Sequence, residues 1–453
     1  MKPGVCAAWA AIGLSLAGPT AAQTTNTPFA GSVVNTAVSA TPLPLALDDA
    51  VARGLRYNLG LLTAENQVAS ARGARVRALK DLLPRVEARA GETRETTNLA
   101  AFGFDPSLFP GLPSIVGPFS IFDARVAGSQ TVFDLSAVNE VRSKKATLAA
   151  AELDVRNSRD LVTYVVTMLY FQAVAGERRI ETARGQVTTA EALFALATSQ
   201  RNAGVAPGID VVRAQVQLQA QRQRLLVAEN DAAKARLQLV RAIGVPTAQT
   251  IALTEQGEPM PAPATTLNEA LTRAEASRAD YQAARERVAA AEAALRAART
   301  SALPSLRVNA DVGAIGASAG DARRTYAMSA NVRVPLFDPD RRGREAEDVA
   351  AVRQRQAELD DLAQKIEAEV RTAWLDVQST EQQAAVAKER VALADQELRL
   401  ARIRFSAGVS SNLEVIQAQT EVSVAADNAI ASAYAVNVAR AALKRAVGTS
   451  PAP

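Results

Sequence analysis

The chain is written twice. Phe133-Asp134 returns as Phe337-Asp338, Tyr170 is matched by Trp374, Ala203-Gly204-Val205 by Ala407-Gly408-Val409, and Gly244 by Gly448, each pair 204 residues apart. Nearer the N-terminus, Leu47-Asp48-Asp49-Ala50 is matched by Leu267-Asn268-Glu269-Ala270 and Leu83-Pro84 by Leu303-Pro304, now 220 residues apart. The 16-residue excess lies between Pro84 and Phe133, so the first copy is expected to carry a longer loop over 91–122. A duplication of this extent means two similar halves, not a string of unrelated domains, and it precedes any local motif in the argument. The copies span 46–244 and 267–448, joined by a linker over 245–266 that holds Pro246, Pro259, Pro261 and Pro263, with a short tail at 449–453.

Each copy is mostly helical. Residues 136–202 and 340–406 read as long helices of about 100 Å, from the rise of ~1.5 Å per residue. Val352, Leu359, Leu362, Ile366, Val370, Ala373 and Val377 follow the three-, four- and seven-residue spacings of a coiled-coil seam. Tight turns at 203–208 and 407–412 lead into helices over 209–243 and 413–447, and each copy opens with a helix of comparable length, 46–82 and 267–302. Two such shorter helices end to end match one long helix. The second helix therefore folds back along the far half of the long one and the opening helix covers the near half, because a helix this long needs neighbours throughout. The Ala-Gly-Val turns then lie at the end farthest from the strands.

The strands are four, two per copy. Tyr326, Met328, Ala330, Val332, Val334 and Leu336 alternate with Ala327, Ser329, Asn331, Arg333 and Pro335, and over 304–316 Leu306, Val308, Ala310 and Val312 alternate with Arg307, Asn309 and Asp311. In the first copy Val86, Ala88 and Ala90 stand between Arg85, Glu87 and Arg89, and Ala124, Val126 and Gly128 between Asp123, Arg125 and Ser129. One face is aliphatic and the other charged. In a soluble sandwich the charged face meets water outside; in a membrane barrel it lines the lumen and Val308, Val312, Met328, Val332 and Val334 face lipid. Alternation leaves both open. Aromatic placement adds weight to the barrel: Phe102, Phe104, Phe109, Phe119, Phe122, Phe133, Phe337 and Tyr326 sit on or between these strands, as interfacial belts do.

Charge and composition exclude several classes. The 51 basic and 47 acidic residues are interspersed and no basic stripe appears, so a nucleic-acid partner is not expected. Residues 1–22 have the pattern of a secretory signal peptide, with Lys2, an apolar run from Val5 to Leu16, and Thr20-Ala21-Ala22 before Gln23. Residues 23–45 read as an extended arm. The only cysteine, Cys6, lies within the signal and there is no histidine. The remaining chain is left without disulfides or thiolate and imidazole ligands, so no metal site and no cofactor is expected. No G-x-x-x-x-G-K loop and no H-E-x-x-H motif occurs, and nothing suggests an enzyme. No apolar run is long enough for a membrane-spanning helix.

Together these features resemble the TolC-like outer-membrane efflux protein family over nearly all of the chain after the signal. The resemblance is carried by Val334-Pro335-Leu336-Phe337-Asp338 entering the long helix and by the paired turns. These read Arg201-Asn202-Ala203-Gly204-Val205 through Ile209-Asp210-Val211-Val212, and Arg404-Phe405-Ser406-Ala407-Gly408-Val409 through Leu413-Glu414-Val415-Ile416-Gln417. It implies an α+β fold in which helical hairpins of three chains form an α-barrel across the periplasm. Four strands per chain then contribute to a twelve-stranded β-barrel in the outer membrane. It also implies a periplasmic adaptor protein and an inner-membrane pump of RND or ABC type as partners, with outer-membrane lipid around the barrel. By the same resemblance Arg201, Gly204, Val205, Arg404, Gly408 and Val409 form adaptor-contacting tips. Asp210, Glu414 and Gln417 stand at the narrow periplasmic entrance.

The chain departs from some relatives here: Gln417 stands where they carry a second acid, and Ser410 and Phe405 replace an arginine–tyrosine latch. From the residues alone Asp210 and Glu414 also read as first-turn acids that stabilise helix N-termini. A soluble periplasmic coiled-coil protein, structural or an adaptor, is the competing reading.

Overall fold

The computed structural model describes residues 28–34, 37–103, 113–205, 207–254, 260–261 and 266–448. The signal peptide at 1–22, Phe104, Phe109 and the tail at 449–453 lie outside these residues.

In chain order the elements are β1 (Leu43–Leu45), α1 (Leu47–Tyr57), α2 (Leu59–Leu79), β2 (Arg85–Asn98), β3 (Ile115–Phe133), α3 (Leu135–Asn202), α4 (Gly208–Ala242), β4 (Ile251–Leu253), α5 (Leu267–Ser277), α6 (Ala279–Thr300), β5 (Ser305–Gly316), β6 (Arg323–Arg333), α7 (Pro339–Ser406) and α8 (Asn412–Val447). The long helices α3 and α7 have 68 residues each. Both start on the repeated Phe-Asp: Asp134 caps through the amide of Ala137, and Asp338 through that of Asp340. Within each copy the long helix packs on its returning helix (α3 on α4, α7 on α8) and on its opening helices (α3 on α1 and α2, α7 on α5 and α6).

The opening helices are broken where single helices over 46–82 and 267–302 are expected. Asn58 and Arg278, at equivalent positions of the two copies, both have extended backbone. The first break is held by distant groups. Asn58 donates from Nδ2 to the carbonyls of Phe29 (2.7 Å) and Ala242 (3.3 Å) and accepts from the Gly60 amide (2.9 Å). The amide of Leu59 bonds Gly31.

At the second break Arg278 is only 6% exposed and takes Asp280 and Glu369 at 2.6 Å each. Burial alone would push the Asp280 carboxyl up; its hydrogen bonds and the charge of Arg278 outweigh this and hold it below the usual carboxylate range. Another ion pair is itself duplicated: Arg236–Glu177 at 2.8 Å recurs as Arg440–Glu381 at 2.6 Å.

The arm and the linker are structured against each other. β1 pairs in parallel with β4, and Gln249 of the linker accepts from the Ser39 amide and donates to Thr41 O. This two-stranded sheet sits on an apolar core built around Tyr170, Val162, Val166, Leu239 and Ile243, with the Tyr170 hydroxyl donating to Leu45 O. The second copy has its own core on Ile366, Val370, Ala373, Val377 and Leu443, so the expected seam is buried in its lower part, while Val352, Leu359 and Leu362 are half-exposed. A third core, Leu193, Ala197, Leu398, Phe405 and Val415, joins the two hairpins near their tips.

The remaining strands form one antiparallel sheet in the order β2-β3-β5-β6. β2 and β3 have 14 and 19 residues, so half of the loop expected over 91–122 is strand, Gly91 to Asn98 and Ile115 to Phe122. Alternation is lost to the eye there because Glu92 pairs with Phe122 and Arg94 with Ser120 on the face that further down holds Val86 and Ala88. Val334, expected on a strand, lies just past the end of β6. The last pair of β6 is Arg333 with Ser305, and the chain beyond it leads into α7.

Candidate functional site

At the far end of the helices the two turns have one geometry. α3 ends at Ala203, Gly204 takes φ +73°, and the amides of Gly204 and Val205 bond Arg201 O and Gln200 O. α7 ends at Ala407, Gly408 takes φ +71°, and the amides of Gly408 and Val409 bond Phe405 O and Arg404 O. Such a left-handed glycine with paired back-bonds terminates a helix and reverses the chain. The valine that follows usually packs on the residue three before the cap. Here that residue is Gln200 or Arg404, so Val205 and Val409 project outward, 77% and 70% exposed. The glycines have open space around them: no atom lies within 4 Å of a Cβ built at Gly204 or Gly408. Arg201 lies against Gly208 on the first tip.

The expected entrance residues separate into two settings. Glu414, in the first turn of α8, is half-exposed and pairs with Arg404 at 3.0 Å, and Gln417 one turn on is exposed. Asp210 holds the same place in α4, yet it is only 5% exposed. Its carboxylate meets Arg213 at 3.6 Å, and its backbone oxygen accepts from Nδ2 of the fully buried Asn412 at 2.7 Å. Asp210 thus stands between the hairpins, where Glu414 stands on their surface. Arg404, expected at the tip, and Glu414, expected at the entrance, are brought together by the structure. Asn412 is not among the expected residues; its signal is its place at the start of α8, where a helix-opening polar side chain can reach the other hairpin. Among the described residues no group of acidic, cysteine or histidine side chains could hold a metal ion.

At the other end the sheet largely separates its faces over the levels nearest the helices. Pairing puts Val308 beside Ala330, Ala310 beside Met328, Val312 beside Tyr326 and Leu306 beside Val332 on one face, continued by Val126, Ala124, Ala88 and Val86. Tyr326 and Met328 are 82% and 76% exposed. The opposite face carries Arg85, Glu87, Arg89, Asp123, Arg125, Arg307, Asn309 and Asp311. Arg125 holds Asp123 at 2.7 Å and Asp311 at 3.1 Å, and Arg85 holds Glu87. No described helix is long and apolar enough to cross a membrane. The sheet, with strands of 11 to 19 residues, exceeds the ~9–11 residues a tilted membrane strand needs.

The family model for outer membrane efflux proteins matches residues 51–245 and 270–449, the two copies of the repeat. The chain belongs to that family. It is 24% identical over 425 residues to the pyoverdine export outer membrane protein OpmQ of Pseudomonas aeruginosa, covering 89% of this chain and 85% of that protein. The fold is that of the outer-membrane channel OprN (TM-score 0.75, 20% identity, 89% of each chain). It is also that of the Campylobacter jejuni CmeC outer membrane channel (TM-score 0.78, 16% identity, 89% of this chain and 85% of that one). The protein is thus an outer-membrane transport protein.

Proposed function

We propose that this outer membrane efflux protein is the exit duct of a tripartite export system. Three copies close into a tunnel that conducts solutes passively from a periplasmic adaptor and an inner-membrane pump. The observation that carries the reading is the incomplete repeat. α3 packs not only on the helices of its own copy but also along α6 and α8 of the second. Its counterpart α7 packs within the chain on α5, α6 and α8, and the matching contacts, α7 on α2 and on α4, are not made to a comparable extent among the described residues. The faces that would make them carry exposed Leu375, Val386, Leu393 and Leu400 on α7 and Val212, Val216, Leu226 and Val227 on α4.

A neighbouring chain supplies those contacts and continues the ring. The sheet needs the same operation: β2 and β6 are open edges, and an open edge in lipid leaves backbone groups unsatisfied. Three chains of four strands make a barrel of twelve. The exposed Val205 and Val409 tips, with Arg201 and Arg404 beside them, are then the adaptor contacts. Glu414 and Gln417 line the entrance, with Asp210 tying the hairpins behind them.

The test is single-channel recording of the detergent-purified protein in a planar bilayer. A small, stable, cation-preferring current is expected, because three Glu414 carboxylates around an axis favour cations. Glu414→Ala should weaken that preference and raise conductance, whereas Arg404→Gln, which releases Glu414 from its ion pair, should strengthen it. An unchanged current–voltage curve for both variants in mixed salts would remove Glu414 from the entrance. Failure of the wild-type protein to insert, with a water-soluble rod in its place, would favour a periplasmic coiled-coil protein.

A further inference from the structure

We propose that the barrel end of the duct carries a cationic collar, Arg89, Arg307 and Arg333 on the lumen face, that selects for carboxylate-bearing solutes. The proposal rests on the barrel reading above and assigns that lumen a chemistry. Strand pairing sets the positions. Starting from the helix end, the polar face presents Ser305 with Arg333, then Thr131, Arg307 and Asn331, then Arg85, Ser129, Asn309 and Ser329. The next two levels hold Glu87 and Asp311, then Arg89 and Arg125. The three levels nearest the helices contain no strand carboxylate.

The carboxylates nearest above them are already engaged: Glu87 by Arg85, Asp311 and the neighbouring Asp123 by Arg125. Arg89, Arg307 and Arg333 make no ion pair with any described residue. The lumen therefore keeps three unneutralised guanidiniums per chain, Arg333 and Arg307 on the carboxylate-free levels and Arg89 just beyond the level of Glu87 and Asp311.

A niche of about 150 Å³ opens beside Arg307. It is bounded by Lys80, Arg85 and Arg307, with Ser129 and Thr131 as hydroxyl donors and a single acid, Asp81. A guanidinium matches a carboxylate with two parallel N–H donors, which a halide or a neutral solute cannot use as fully. Rings of arginine are a general means of favouring anions in a pore. The duct thus carries opposite charges in series, acidic at the periplasmic tip and basic at the membrane end.

Citrate added to the barrel side of a planar bilayer reaches this zone without passing Glu414. In wild-type protein it should reduce the single-channel current at concentrations where equal ionic strength of chloride does not. The combined Arg89→Gln, Arg307→Gln and Arg333→Gln variant should need about tenfold more citrate for the same block, which corresponds to loss of one charge-assisted contact. The triple lysine variant keeps the charge without the fork and should retain block, weakened by less. If the triple glutamine variant does not insert, Arg307→Gln alone still shifts the block in the same direction. A wild-type current insensitive to citrate, or equal block of wild type and glutamine variants, overturns the collar while leaving the duct intact. No current from the wild-type protein overturns the duct reading, and the collar with it.

Discussion

Arg278→Ala is expected to cost about 3 kcal/mol of stability, the lower end for breaking a buried ion pair by removing one partner. The assembled protein should lose its resistance to heat and detergent accordingly. The arginine is enclosed at the junction of α5 and α6, and its three donors satisfy Asp280 and Glu369. Truncation leaves two carboxylates facing each other with no cation. Because Glu369 remains a third exposed, water can partly replace the lost partner, which keeps the effect from the upper end.

The charge, not the volume, sets the loss. Replacing Arg278, Asp280 and Glu369 together by Met, Leu and Leu should therefore recover most of it, since an apolar substitute removes the desolvation penalty along with the attraction. A melting curve of the purified protein for both variants checks this, and equal losses would mean that the arginine acts through packing alone.

The pH dependence follows from Asp280. Its folded carboxyl titrates below its ordinary value of about 3.8, so its contribution is complete above that value and disappears as pH falls through the lower, folded one. Wild type and Arg278→Ala should differ most at neutral pH and converge as pH falls, because the variant's Asp280, left with burial and no cation, protonates before the wild-type carboxyl does.

What the sequence discloses is what repeats or alternates locally. The paired Phe-Asp, the Ala-Gly-Val turns and the strand alternation over 304–316 and 326–336 are each written in neighbouring residues, and each is found where it is expected except that the last strand ends at Arg333, short of Val334 and Leu336. The breaks at Asn58 and Arg278 are not, because the groups that hold them are distant. Asn58 is fixed by carbonyls of Phe29 and Ala242, and Arg278 by Glu369, while the flanking residues have unbroken helical composition. The equivalence of the two positions across the repeat was the available signal: a polar residue at one register in both copies.

The entrance shows the same limit. That Asp210 and Glu414 occupy one position of a duplicated turn is legible, but their different burial is not. It depends on Asn412 reaching across to the other hairpin and on Arg404 folding over its own. A duplication states which residues are equivalent in sequence. In a fold of two unequal repeats, equivalent residues meet different neighbours.

Gly408→Asp, and equally Gly204→Asp, is expected to reduce export at least about tenfold while the protein still assembles. Both glycines have positive φ, and a side chain there costs about 1–2 kcal/mol, least for Asn and Asp, which tolerate the left-handed region. Nothing lies within 4 Å of the added Cβ, so the strain is the whole penalty within the chain and the hairpin should keep its turn. The new carboxylate instead falls beside the exposed Val409 or Val205, on the surface proposed to meet the adaptor. There it must be desolvated without an established partner, at a cost of several kcal/mol.

Gly408→Asn has the same backbone tolerance and no charge, and should lose much less export. Gly244→Ala is the opposite control. Its φ of +74° is nearly the same, but its Cβ would lie 2.5 Å from Tyr57 Cβ, inside the core around Tyr170. That variant should lose assembly and export together. Export assayed beside the yield of heat-resistant trimer separates the cases: normal export from an assembled Gly408→Asp protein would move the adaptor contact away from the tips. Loss of trimer in that variant would instead make Gly408 a structural residue of the Gly244 kind, against the open space around it.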